Sequence, residues 1–300
     1  MRASFMSAAA ALLLLAACGG TEDLSADQTD ETIEHGAGHP LPLSTGEAKT
    51  RAGRVRYYGG PVLEQAKVVA VLWGQVDSQV GAHIGNFYKA MVGSAAFSWL
   101  KEYDTTVAAV DGSPGTGQHI GRGSFAGAVQ ISPRAHGKSL TDAQIEKELS
   151  AQIRAGVLPA ADDNTLYMIH FAPGIRIRLG SSHSCTAGGF CGYHSAFRVR
   201  GKSIAYAVLP DMGAGSGCDV GCGSGQAFDR VTSVASHELA EATTDPEVGL
   251  ASKLAAPLAW YDSSGGEIGD LCVGSTVHLR AGGATYLIQK EWSNAAGACR

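Results

Sequence analysis

Lys67-Val-Val-Ala-Val-Leu-Trp73 is a near-continuous apolar run of strand length. Alternation would mark a strand with one wet face, whereas a continuous run predicts a strand buried on both faces. Such a strand needs covering layers, and the flanking sequence supplies them. Residues 77–92 and 94–102 read as helical, with Gly93 between them. Asp111 to Gly123 is a Gly/Ser/Pro loop and Ala126 to Ser132 a further strand. Thr141-Asp-Ala-Gln144 is a capping-box pattern, with Leu140 and Ile145 placed as a hydrophobic staple. Ile145, Leu149 and Ile153 follow at helical spacing, and Gly156 suits the stop. Thr165 to Phe171 and Ile204 to Leu209 read as strands. In the first, His170 alternates away from Tyr167, Ile169 and Phe171, as a satisfied sheet-face residue would. A helix runs from about Gln226 to Thr244, stopped before Pro246, with Asp229 as a cap or dipole partner near its start. Late strands fall at Thr276–Arg280 and Thr285–Glu291. Mixed strands and helices predict an α/β or α+β domain, a mixed sheet flanked by helices in two or three layers. Forty glycines in 300 residues, nearly double the usual ~7%, predict long, specifically shaped loops.

The first eighteen residues read as an export signal. Arg2 provides a positive start. Ala8 to Ala17, with Leu12 to Leu15 at its centre, is an uncharged apolar run. It is shorter than the ~20 residues of a membrane span and suits a signal peptide core. Leu15-Ala-Ala-Cys18-Gly19 resembles the bacterial lipobox, in which the cysteine is lipidated. Residues 1–17 are therefore expected to be removed, and Cys18 to anchor the chain to a membrane of the bacterial envelope. Residues 18–54, rich in Gly, Thr, Ser, Asp and Glu, read as a flexible tether, with His35 and His39 as solvated linker histidines. Residues 55–300 read as one domain. A net charge of −5 argues against a nucleic-acid surface.

Apart from Cys18 there are six cysteines, an even number in an exported chain, which suggests three disulfides. Sequence leaves fifteen pairings open. The most local set is Cys185–Cys191, Cys218–Cys222 and Cys272–Cys299. The rival at Cys218-x-x-x-Cys222 is a zinc site, which the Gly-rich surroundings and an oxidising compartment disfavour.

The chemistry concentrates in Ser236-His-Glu-Leu-Ala-Glu-Ala-Thr-Thr-Asp-Pro246. His237 and Glu241 are four apart and share a helix face. In the zincin pattern H-E-x-x-H the first and last residues bind zinc, and the glutamate beside the first is a general base on water. Here Glu241 stands in the last place. Carboxylate oxygen is an acceptable zinc ligand and shifts the preference toward calcium or manganese. At ~100° per residue, His237, Glu241, Asp245 and Glu238 share a half-cylinder with Val234 and Val231, while Ser236, Thr232 and Thr243 gather opposite. Carboxylates buried with valines are costly unless paired or bound to metal. The competing reading is a helix of solvated charges with one structural His–Glu pair.

Downstream, Trp260-Tyr-Asp262 and Glu267-Ile-Gly-Asp270-Leu-Cys272 offer a further ligand: Glu267 or Asp270 first, then Asp262, with Asp245 available from the helix end. Tyr261 is placed to donate to a developing oxyanion. His194, in Phe190-Cys-Gly-Tyr-His194, is another candidate ligand, with a structural role beside a disulfide loop as its rival. There is no Gly-x-Ser-x-Gly elbow and no Walker loop. Gly121-Arg-Gly123 lacks the frame of a dinucleotide site, so no nucleotide is expected.

Four motifs in order resemble the phosphate-induced protein 1 / EXORDIUM family. They are Tyr57-Tyr-Gly-Gly-Pro-Val62 with the strand to Trp73-Gly74, Gly189-Phe-Cys-Gly-Tyr-His194, His237-Glu-Leu-Ala-Glu241 with Thr244-Asp-Pro246, and Glu267-Ile-Gly-Asp-Leu-Cys272. The resemblance implies an exported wall or envelope protein and leaves its biochemical activity open. Two expectations follow. One is a metal-dependent hydrolase, a peptidase acting on a peptide or envelope polymer, with His237, Glu241 and Asp270 or Glu267 as ligands and Glu238 as base. The other is a non-catalytic envelope or wall-binding protein with a structural metal or none.

Overall fold

The computed structural model describes residues 32–42 and 53–300. The signal segment, Cys18 and the remainder of the expected tether lie outside the described residues. The fold is built on one mixed sheet. Its strands are β1 (Ile33–Glu34), β2 (His39–Pro42), β3 (Lys67–Trp73), β4 (Ser124–Ile131), β5 (Thr165–Phe171), β6 (Phe190–Val199) and β7 (Lys202–Leu209). From one edge the order is β1 and β2, then β6, β7, β5, β3 and β4. β7, β5, β3 and β4 are mutually parallel. β6 turns back antiparallel on β7, with His194 opposite Ala207.

The apolar run at β3 is buried on both faces, and alternate residues feed two cores. Val68, Ala70 and Leu72 join one core with Leu166, Met168, Ala205 and Ala207. Val69, Val71 and Trp73 join the other with Tyr167, Ile169 and Phe171. Helix α1 (Ser78–Val92) and helix α3 (Ala227–Thr244) cover the first face. Helix α2 (Asp142–Arg154) covers the second, where Ile145 and Leu149 pack. The domain is therefore three-layered. The Thr141/Gln144 capping box starts α2 as its sequence demands. His170 is a satisfied core histidine: Tyr88 Oη lies 2.8 Å from its Nε2, and burial pushes its pKa down to about 3.

A hairpin of β8 (Thr276–Ala281) and β9 (Ala284–Gln289) turns at Gly282-Gly283, both left-handed, as a two-residue hairpin loop requires. It packs on α3. Thr232 Oγ1 donates to the Leu287 carbonyl (2.7 Å), and Ser236 Oγ accepts from the Gln289 N–H (2.9 Å). Thus α3 lies between sheet and hairpin, and every residue from Val231 to Thr244 is buried. Both sides of the helical wheel are inside, which rules out a helix of solvated charges.

Two expectations are corrected. First, part of the stretch read as a flexible tether is structured: Ile33–Glu34 and His39–Pro42 pair with β6, and His35 Nδ1 meets Glu146 on α2, so His35 is not a linker histidine. Second, the disulfides are Cys185–Cys218, Cys191–Cys222 and Cys272–Cys299. Only the last is a local pair from the expected set. Cys191 lies within extended β6, while Cys218 and Cys222 sit in one tight turn beside it. Each cysteine of the turn therefore reaches across to the other segment, and neither a Cys185–Cys191 nor a Cys218–Cys222 bridge forms.

Candidate metal centre

Three segments converge on α3. β6 brings His194, the loop ahead of Cys272 brings Glu267, and α3 itself brings His237, Glu238 and Glu241. All five side chains are at most 1% exposed. His194 Nδ1 lies 3.3 Å from Glu238 Oε2 and 3.7 Å from Glu241 Oε2, and its Nε2 lies 3.3 Å from Glu267 Oε1. His237 Nε2 lies 3.0 Å from Glu241 Oε2. Donor atoms of His194, Glu241 and Glu267 fall within 4.8 Å of one another, as do those of His237, Glu238 and Glu241. Glu241 belongs to both groups and is the hub.

The backbone around the cluster is shaped to it. Glu241 Oε1 accepts the N–H groups of Gly269 and Asp270, each at 3.0 Å. A β-carbon at Gly269 would sit 2.4 Å from His237 Nδ1, and one at Gly192 would sit 2.9 Å from Glu238 Oε1. Glycine at both places lets loop and strand close on the helix. Gln289 Nε2 lies 2.7 Å from His237 Nδ1 and donates to the Gly269 carbonyl at 2.9 Å. That second bond orients the amide, so Nδ1 is the acceptor and the ring proton belongs on Nε2.

The electrostatics follow from the crowding. Burial opposes a charged His194, but Glu267, Glu238 and Glu241 outweigh it and hold the imidazole well above its usual range. Burial pushes the Glu238 carboxyl up to about 7, against the pull of His194 and His237. Three carboxylates face two imidazoles here, and a field that retains a proton on His194 also favours a cation. Among the described residues, Glu238 Oε1 is buried with no hydrogen-bond partner, while His237 Nε2 faces Glu241 Oε2 at 3.0 Å. Buried polar atoms without a partner are uncommon and ask for an ion or a reacting group.

The other candidates occupy different places. Asp245 caps α3: its N–H donates to the Glu241 carbonyl and its Oδ1 accepts from Ala259 N at 2.9 Å. Asp270 stands one step out, with its Oδ2 accepting the Glu267 N–H at 3.1 Å. Tyr261 is half-buried at the rim. Burial pushes its phenol up to about 12, with Glu267, Asp270, Asp245 and Glu241 adding to the effect. Asp262 is not part of the cluster. Its carboxylate accepts from Arg54 N and from Ser264 and Gly265 in its own turn. Its backbone and side chain close a local turn instead of reaching the helix.

Sequence reading did not pick out Gln289 and Glu291. Glu291 is buried, and burial together with Glu241, Asp270 and Glu238 pushes its carboxyl well above the ordinary range. The available signal was polar residues continuing the apolar Tyr286-Leu-Ile288 strand. Comparison with protein-family models, curated proteins and solved structures gives no match, so the chemistry of these side chains carries the functional reading.

Proposed function

We propose that this protein is a metal-dependent hydrolase of the bacterial envelope, a peptidase, anchored through Cys18. One observation carries the reading: His237, Glu238 and Glu241 on one buried helix are joined by His194 and Glu267 from two other segments. Two imidazoles with carboxylates suit zinc or manganese better than calcium, which takes oxygen ligands. His194, His237, Glu241 and Glu267 would hold the ion; for His237 to bind through Nε2, its ring proton would have to move to Nδ1, with the Gln289 amide turned so that its oxygen accepts it. A bound divalent ion would polarise a scissile carbonyl and acidify water. Glu238 has Oε1 without a hydrogen-bond partner and would take the water's proton there. Tyr261, at the half-buried rim, would donate to the developing oxyanion. Gln289 would fix the orientation of the His237 ring. The resemblance to the EXORDIUM family supports export and envelope residence without naming a reaction.

The second reading is a non-catalytic wall-binding protein with a structural metal. The burial of all five side chains, at most 1% exposed, favours it, because structural sites are closed and catalytic ones keep a position open. Metal content by mass spectrometry, followed by hydrolysis of a peptide library, separates the two. The hydrolase reading expects about one equivalent of zinc or manganese in the parent and none in His237→Ala/Glu241→Ala. It also expects Glu238→Gln to keep the ion and lose turnover by roughly 100-fold or more. A fully loaded parent without turnover leaves the binding-protein reading.

A further inference from the structure

Strand β6, which carries His194, would be the edge of the sheet without residues 33–42. An uncovered edge presents unpaired N–H and C=O groups and recruits any extended chain that fits. The chain covers this edge with its own residues 33–34 and 39–42, both antiparallel. Ile33 and Glu34 lie opposite Val199 and Arg198, and His39 to Leu41 lie opposite His194, Tyr193 and Gly192. Between the two pairings, Gly36-Ala-Gly38 presses close. A β-carbon at Gly36 would sit 2.1 Å from the Ala196 carbonyl oxygen, and one at Gly38 2.5 Å from the Tyr193 ring. Ala37 N donates to the Gly249 carbonyl at 2.6 Å, and Glu146 holds His35 and receives Gly36 N at 3.4 Å.

Little apolar surface secures residues 32–37. Thr32, Glu34, His35 and Ala37 are exposed, and Ile33 is half-buried. Pro40 and Pro42 have no N–H to donate to a ladder. The described hold is main-chain pairing, close glycine contact and one latch, and main-chain pairing at a sheet edge is how an added β-strand gains its affinity.

We propose that the β6 edge is a docking site for an extended peptide with small residues two positions apart, and that residues 33–42 are its resident, displaceable occupant. His39 lies opposite His194, so an incoming strand would run directly past the candidate metal centre. The claim that this strand is substrate rests on the hydrolase reading, whereas the docking does not.

The test uses the full chain and a labelled synthetic peptide of residues 32–42, with affinity read by fluorescence anisotropy on a Glu238→Gln background so that cleavage does not intervene. Gly36→Val/Gly38→Val should unseat the segment, and the peptide should bind this variant at least about ten-fold more tightly than the parent. A peptide with valine at both glycine positions should bind neither. Equal affinity for parent and variant, or tight binding of the valine peptide, overturns the proposal. If the double variant fails to fold, His35→Ala serves instead. Loosening the latch should raise hydrogen exchange in residues 33–42 and raise peptide affinity together, and no change in either overturns the proposal. Edge exchange in a protein that hydrolyses nothing removes the hydrolase reading alone; hydrolysis without edge exchange removes the docking proposal alone.

Discussion

Nδ1 of His194 lies 3.3 Å from Oε2 of Glu238, although the two residues stand 44 apart in sequence. The contact ties the sheet to α3 and brings a second imidazole to a helix that has Glu241 in place of a second zincin histidine. His194→Ala leaves Glu238, Glu241 and Glu267 facing one another without the ring between them. Breaking a buried ion pair from one side costs roughly 3–5 kcal/mol. The variant should lose bound metal and unfold at a clearly lower urea concentration. Full metal content with an unchanged midpoint would place His194 outside the donor set.

Gly269 is required by contact and not by backbone conformation, since its φ of −79° is open to any residue. Gly269→Ala would bring a β-carbon to 2.4 Å from His237 Nδ1 and 2.8 Å from Glu241 Oε1. Relief requires moving the loop, at a cost of about 1–3 kcal/mol, and loosens the two N–H bonds that hold Glu241. Metal affinity should fall with stability. Gly121→Ala is the control, because its nearest neighbour, the Glu64 carbonyl oxygen, lies 3.6 Å away. If both variants bind metal equally, the close approach at Gly269 has no bearing on the site.

What the sequence made legible followed from strong local rules. The β3 run reads as buried on both faces because its apolar residues are continuous. α2 announces itself through Thr141 and Gln144. The polar face of α3 stands out because Glu238, Glu241 and Asp245 share a sector with valines. β6 carries no plain strand signal in the sequence, because Gly192 and Ser195 interrupt its large apolar residues. In fact Gly192 is small because Glu238 and Val234 lie directly above it, while Tyr193 and Phe197 fill the opposite core. That alternation is a strand signal, hidden by the close approach of a helix that no local pattern specifies. The disulfide register was hidden for the same reason: proximity of Cys185 to Cys218 is set by the sheet, not by the spacing along the chain.

The crossed disulfides give a graded expectation. With Cys185–Cys218 intact, Cys191–Cys222 closes only about ten further residues, for which loop entropy predicts about 2–3 kcal/mol. Cys191→Ser/Cys222→Ser should therefore fold with a reduced urea midpoint. Cys191 immediately precedes Gly192, and Cys222 lies ahead of α3, so the bridge ties β6 to the approach of the helix. Metal affinity should fall along with stability. An unchanged midpoint would show that β6 and α3 hold each other without the bridge.

Glu146 supplies a pH dependence remote from the metal centre. Burial pushes its carboxyl up to about 7, His35 acts in the opposite direction, and Asp142 raises it further. Asp142 is itself raised by burial, against hydrogen bonds from Tyr193 and Tyr206. A raised carboxyl means that the folded chain holds the proton more tightly than the unfolded chain. Stability from this group is therefore complete below the ordinary glutamate range and is lost as pH rises through about 7. The urea midpoint should therefore fall between about pH 6 and 8. Glu146→Gln cannot ionise and should flatten that change. A midpoint that falls equally in parent and variant would assign the pH response to another group.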